Sequence, residues 1–106
     1  MFGRRVSMNL KPNSVKEFTQ KLETQIIPLL RKQTGFQDEI SFVGPGDSKV
    51  FGISLWENKD NAEAYNRGPY TEVTKMLAGL VDGTPQVETF EVSNSTFHKI
   101  HAAVAA

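Results

Sequence analysis

Residues 50–92 read VFGISLWENKDNAEAYNRGPYTEVTKMLAGLVDGTPQVETFEV. In Val50 to Trp56, the side chains of Phe51, Ile53 and Leu55 point one way, and those of Val50, Gly52, Ser54 and Trp56 the other. Such a strand is expected to be covered on both faces. Asn58 is placed to cap a short helix through Ala62, Ala64 and Tyr65, which Arg67-Gly68-Pro69 interrupts. Val73, Met76, Leu77, Leu80 and Val81 then form a second helical stripe, which Asp82-Gly83-Thr84-Pro85 is expected to end. Gln86 to Val92, rich in strand formers and free of internal Gly and Pro, predicts the last strand.

Upstream, Val6, Met8 and Leu10 alternate with Arg5, Ser7 and Asn9, so Phe2 to Leu10 predicts a half-buried strand that stops at Lys11-Pro12-Asn13. Ser14 followed by Glu17 has the form of a capping box. Val15, Phe18, Leu22, Ile26, Leu29 and Leu30 continue from it as one apolar stripe. Pro28 inside the stripe predicts a kink or a broken last turn, and Gly35 the stop. Phe36 to Val43 alternates again, with Phe36, Asp38, Ile40 and Phe42 opposite Gln37, Glu39, Ser41 and Val43, and Gly44-Pro45-Gly46-Asp47 supplies a hairpin turn.

The order strand, helix, strand, strand, broken helix, strand is that of an α+β, ferredoxin-like split βαββαβ fold with a four-stranded antiparallel sheet. Residues 1–92 make this domain, and residues 93–106 a C-terminal tail, helical or partly disordered, whose Phe97, Ile100 and Val104 have helical spacing. Helices cover one face of such a sheet. A bare second face would expose Trp56 and Val50 together with Val6 or Phe42, and burying one such side chain is worth roughly 1.5–3 kcal/mol. A closed two-fold homodimer is therefore expected.

The chain has 106 residues, 12 Lys+Arg against 12 Asp+Glu, and no cysteine. A neutral balance argues against nucleic-acid and anionic-membrane partners, which call for clustered basic surface; Arg4-Arg5 and Arg31-Lys32 are the only adjacent basic pairs. Without cysteine there is no disulfide, thiol nucleophile or thiolate metal site, and a reducing cytoplasm is the expected address. MFGRRVSMNLK has no apolar run after its charges, so no signal peptide or membrane span is expected. Gly44-Pro45-Gly46 lacks the strand–loop–helix setting of a phosphate loop.

Arg4 to Asn13, Ser14 to Gly35 and residues 54–92 together resemble the antibiotic biosynthesis monooxygenase family of dimeric α+β barrels. The features that carry the likeness are a central strand ending in Trp56-Glu57, a short helix with Ala64-Tyr65, and a Gly/Pro-rich entry to the last strand. The resemblance implies a pocket without flavin, metal or other cofactor, in which a reduced phenolic substrate gives an electron to O2 while the protein desolvates, orients and deprotonates it. It implies that Trp56 is the pocket tryptophan and Tyr65 the hydrogen-bonding tyrosine, with Gly52, Ser54 and Tyr70 as ligand contacts. Two positions depart from the family's pattern: Gly52 stands where an asparagine is expected four residues before the tryptophan, and Tyr70 where the following helix carries an arginine. Haem degradation in this family uses a first-strand Asn, a helical Trp and a His further on, and Val6, Tyr65 and Thr74 or Lys75 stand there instead. Asn9 has the wrong parity to substitute.

His98 and His101 have the spacing of two imidazoles on one helical face, and a tail folded over the pocket mouth would make either a general base. No third ligand lies nearby for a metal. Glu57, Asp60 and Glu63 read as an exposed helix face. Two functions follow as expectations: cofactor-independent oxygenation of a small aromatic or phenolic molecule, or non-catalytic binding of a small apolar or aromatic ligand in a stress-responsive barrel of the same fold.

Overall fold

The N-terminal alternation becomes β1 (Phe2–Leu10), the central hairpin becomes β2 (Phe36–Val43) and β3 (Lys49–Trp56), and the chain returns as β4 (Val81–Glu91). This computed structural model describes residues 1–100, and His101 and Val104 lie outside the described residues. The strands form one antiparallel sheet in the order β2-β3-β1-β4. With the helices α1 (Val15–Lys21), α2 (Ile27–Arg31), α3 (Lys59–Arg67) and α4 (Tyr70–Leu77) on one face, this is the expected ferredoxin-like α+β fold. None of the helices among the described residues is long and apolar enough to cross a membrane.

The helix after β1 starts where Ser14 predicts, but the capping box does not form. Asn13 takes a left-handed turn at φ 60°, and Ser14 follows with helical backbone angles instead of the extended ones a capping box needs, so its hydroxyl makes no cap bond. Its carbonyl accepts from the Phe18 N–H at 2.9 Å. Pro28 acts one turn earlier than a simple kink: lacking an N–H, and crowding the carbonyl four residues back, it leaves the ladder to widen. Residues Leu22–Ile26 are π-helical, with the Ile27 N–H donating to the Leu22 carbonyl. Asn58 does cap α3, its side chain accepting from the Asn61 N–H at 2.9 Å.

Three sequence expectations are corrected. The second helical stripe ends at Leu77, and β4 begins at Val81 rather than Gln86. Asp82 pairs with Asn9, and the shift between Ser7 and Asn9 absorbs Gly83, at φ 74°, and Pro85, which an edge strand tolerates. In β2 a register shift between Phe36 and Asp38 breaks the alternation, so Phe36 shares a face with Glu39 and Ser41 while Asp38, Ile40 and Phe42 share the other. Finally, Trp56, Val50 and Val6 lie beneath the helices, with Trp56 at 0% and Val50 at 2% exposure. The bare face carries Phe51, Ile53 and Leu55, flanked by Ile40, Phe42 and Phe90, of which the last three are 46%, 41% and 50% exposed.

Residues 93–100 form a bend and irregular chain, with no helix. They lie along β2 and β3 on the bare face, bounding a groove of about 640 Å³ lined by Ile40, Phe42, Ile53, Leu55 and Phe97.

Candidate functional site

Strand register sets the floor of a cleft between sheet and helices. Successive rows across β1, β3 and β2 read Phe2–Trp56–Phe36, Arg4–Ser54–Glu39 and Val6–Gly52–Ser41, all facing the helices. Phe18, Leu22, Ile26 and Leu30 wall one side, and Tyr65, Tyr70 and Val73 the other. The widened Leu22–Ile26 turn thus lies directly on the cleft. The empty space amounts to about 70 Å³, half of the ~150 Å³ that lets an apolar cavity take up benzene. A second space of about 220 Å³ shares Met8, Tyr70, Val73 and Leu77 with it as lining.

An aromatic series runs along the α3 side. The ring of Phe36 meets Trp56 edge-on at 5.5 Å, Trp56 lies 5.0 Å from Tyr65, and Tyr65 lies 5.9 Å from Tyr70. Trp56 is the fully buried member of this series and does not border the empty space: its indole N–H donates to Ser54 Oγ at 2.9 Å, and that hydroxyl in turn donates to the Arg4 carbonyl at 3.5 Å. Tyr65, 4% exposed, does border the cleft. Burial pushes its hydroxyl up to about 12, against the pull of the Arg4 guanidinium, so it stays a hydrogen-bond donor. Gly52 and Ser54 border the cleft as well. A Cβ on Gly52 would sit 3.0 Å from Glu39 Oε1 and 3.3 Å from Ser41 Oγ, so the missing side chain is what leaves these two polar groups at the cleft.

The tail histidine lies elsewhere. His98 Nε2 contacts Asp38 Oδ2 on β2, on the bare face of the sheet, with the sheet between it and the cleft. The structure therefore brings Tyr65, Tyr70, Gly52 and Ser54 to one space, sets Trp56 beneath it and His98 behind it. Among the described residues no group of three His, Asp or Glu could hold a metal.

Two cleft residues were not singled out from the sequence. Arg4, 3% exposed, lies with its guanidinium 4.0 Å over the Tyr70 ring and 5.2 Å from that of Tyr65, and donates to Asn66 Oδ1 at 2.8 Å. Its signal was present: Arg4 has the parity of Val6, Met8 and Leu10, which puts an arginine on the apolar face. Glu39 accepts from the Ser41 hydroxyl, and only the unpredictable shift at Gln37 brings it to this face.

Burial holds the Glu39 carboxyl above its ordinary range, with the Ser41 hydrogen bond pulling partly the other way. The unfolded chain ionises this group near the usual ~4.3, whereas the folded protein keeps the proton to higher pH. The group's contribution to stability is therefore complete below that value and is lost as pH rises through the folded one. Glu39→Gln stays neutral, so its melting temperature should gain on the parent's as pH rises above the usual carboxylate range; a difference that does not change with pH contradicts the assignment.

No protein-family model and no curated protein matches this sequence. Solved structures do match in fold. The monooxygenase ActVA-Orf6 of Streptomyces coelicolor, in complex with nanaomycin D, superposes with a TM-score of 0.76 at 14% identity over 92% of each chain. A Nitrosomonas europaea protein of unknown function gives 0.75 at 17% identity, over 96% of this chain and 95% of that one. SnoaB, a cofactor-independent oxygenase of Streptomyces nogalater, gives 0.71 at 14%, over 90% and 95%. This chain has the ferredoxin-like α+β fold of the antibiotic biosynthesis monooxygenases.

Proposed function

We propose that this protein binds a small phenolic molecule in the cleft between sheet and helices and oxidises it with O2, without a cofactor. The observation that carries the reading is the cleft itself: apolar walls closed on one side by the faces of Tyr65 and Tyr70, with few polar groups aimed inward. The similar fold of a cofactor-independent oxygenase and of a monooxygenase holding nanaomycin D supports it. Tyr65 hydrogen-bonds the phenolic oxygen, Tyr70 covers the ring, and Trp56 acts beneath Tyr65 by holding its plane. Gly52 and Ser54 leave the floor flat enough for a ring to lie on. The electron passes from the phenolate to O2, so the chain's own part is to exclude water, fix the ring and favour loss of the proton. His98 takes no part, and the dimensions of the cleft favour one ring over several.

A second reading, non-catalytic binding in the same cleft, is favoured by one feature: Trp56 spends its N–H on Ser54, and Gly52 offers no polar group in place of an asparagine. Oxygen uptake with a panel of hydroquinones, catechols and anthrones, without added flavin or metal, separates the two. Turnover is expected, reduced about tenfold or more in a Trp56→Phe, Tyr65→Phe double variant, the scale of one lost hydrogen bond to a charged group. Uptake equal to a blank from folded protein, with ligand binding retained, gives the second reading.

We further propose a cytoplasmic homodimer joined through the bare sheet face, because Ile40, Phe42 and Phe90 otherwise stay in water beside Phe51, Ile53 and Leu55. Sedimentation should find a dimer, converted towards monomer by Phe42→Asp or Phe90→Asp. A monomeric parent contradicts it.

A further inference from the structure

Arg4 brings a formal charge into the cleft, and among the described residues no carboxylate pairs with it. It is 3% exposed, one terminal nitrogen is taken by the neutral Asn66 oxygen, and its Nε has no hydrogen-bond partner among the described residues. The neighbouring carboxylates are engaged elsewhere. Glu39, across Ser54 in the same row, holds the Ser41 hydroxyl, and Glu63, which borders a pocket on the far side of Arg4, pairs with Lys59 at 3.8 Å. Tyr65 and Tyr70 offer the negative faces of their rings, which attract a cation but do not neutralise it. Burial accordingly lowers the Arg4 pKa from its ordinary value, offset in part by the two tyrosines.

A desolvated cation without a partner is unfavourable unless something supplies the missing charge, and a guanidinium fork recognises a planar oxyanion with two parallel hydrogen bonds. The walls beside it are aromatic and aliphatic, which suits a ring. We infer that the cleft selects an aromatic ligand carrying an anionic oxygen, as carboxylate or phenolate, and that Arg4 receives it. The inference rests on the cleft being the ligand site, as proposed above, but not on any turnover there.

Calorimetric titration of the full chain under argon tests it, with benzoate and para-nitrophenolate as probes and benzamide and nitrobenzene as their neutral counterparts. The parent should bind at least one anion about tenfold to hundredfold more tightly than its counterpart, the scale of hydrogen bonds to a charged group. Preference confined to benzoate identifies a carboxylate, and preference confined to para-nitrophenolate a phenolate. Arg4→Met should erase the preference and, in the free protein, melt no lower than the parent, because it replaces an unpaired buried charge by an apolar chain of similar length. Arg4→Lys keeps the charge without the fork and should retain part of the preference; it decides the matter should Arg4→Met not fold. Equal affinity of the parent for charged and neutral probes, no binding of either anion, or an unchanged preference in the variants overturns the inference. If oxygen uptake fails while the anion preference holds, the reaction is lost and this inference stands; the reverse result leaves the reaction and removes the inference.

Discussion

The stacking of a buried guanidinium against two tyrosines sets the character of the space between sheet and helices. Arg4 rises from the first strand, lies 4.0 Å over Tyr70, and reaches Asn66 of α3, so it links the sheet to both α3 and α4. Its carbonyl accepts from Ser54, which accepts from Trp56, and Trp56 supports Tyr65 from below. One connected set of contacts thus fixes the aromatic wall, the polar floor and the position of the charge. Removing Ser54 Oγ would leave the Trp56 N–H buried without a partner, which costs about 1–3 kcal/mol, so the floor of the cleft is also part of the core.

The two faces of the sheet divide the work. The helix face packs Trp56, Val50 and Phe2 and leaves the cleft among them, with Gly52 as the gap that lets Glu39 and Ser41 reach it. The other face keeps Ile40, Phe42 and Phe90 in the open, with the tail held near β2 by His98 and Asp38. A π-helical turn at Leu22–Ile26 places Leu22 and Ile26 on the cleft wall, a consequence of Pro28 that reaches from local backbone chemistry to the shape of the site.

Much of this was legible in the sequence where one physical rule acted alone. Alternation located β1, β2 and β3, the Asn58 cap located α3, and turn residues separated the strands. The four-stranded order followed; that Tyr65, Tyr70, Gly52 and Ser54 share one space was implied by the family resemblance, not by strand order. What stayed hidden depended on pairing between distant segments. The shift at Gln37 that turns Glu39 inward is set by how β2 meets β3, and the early start of β4 by how Val81 and Asp82 meet Leu10 and Asn9. Because β3 is apolar on both faces, its own pattern does not say which face the helices take: the burial argument puts Trp56 on the bare face, whereas the resemblance puts it on the helix face, where it lies. Arg4 is legible by parity, because an arginine in phase with Val6, Met8 and Leu10 is a sign of a buried charge, even where it is also half of a basic pair.

The central claim is that the cleft between sheet and helices receives the ligand. The chain has two tyrosines and one tryptophan, and all three belong to the aromatic series along that cleft. Fluorine NMR of protein labelled with fluorotyrosine therefore yields two resonances that both report on it. Titration with para-nitrophenolate should shift both signals in a saturable way, with one shared dissociation constant. Two signals that stay in place while calorimetry records binding would put the ligand elsewhere and contradict the account.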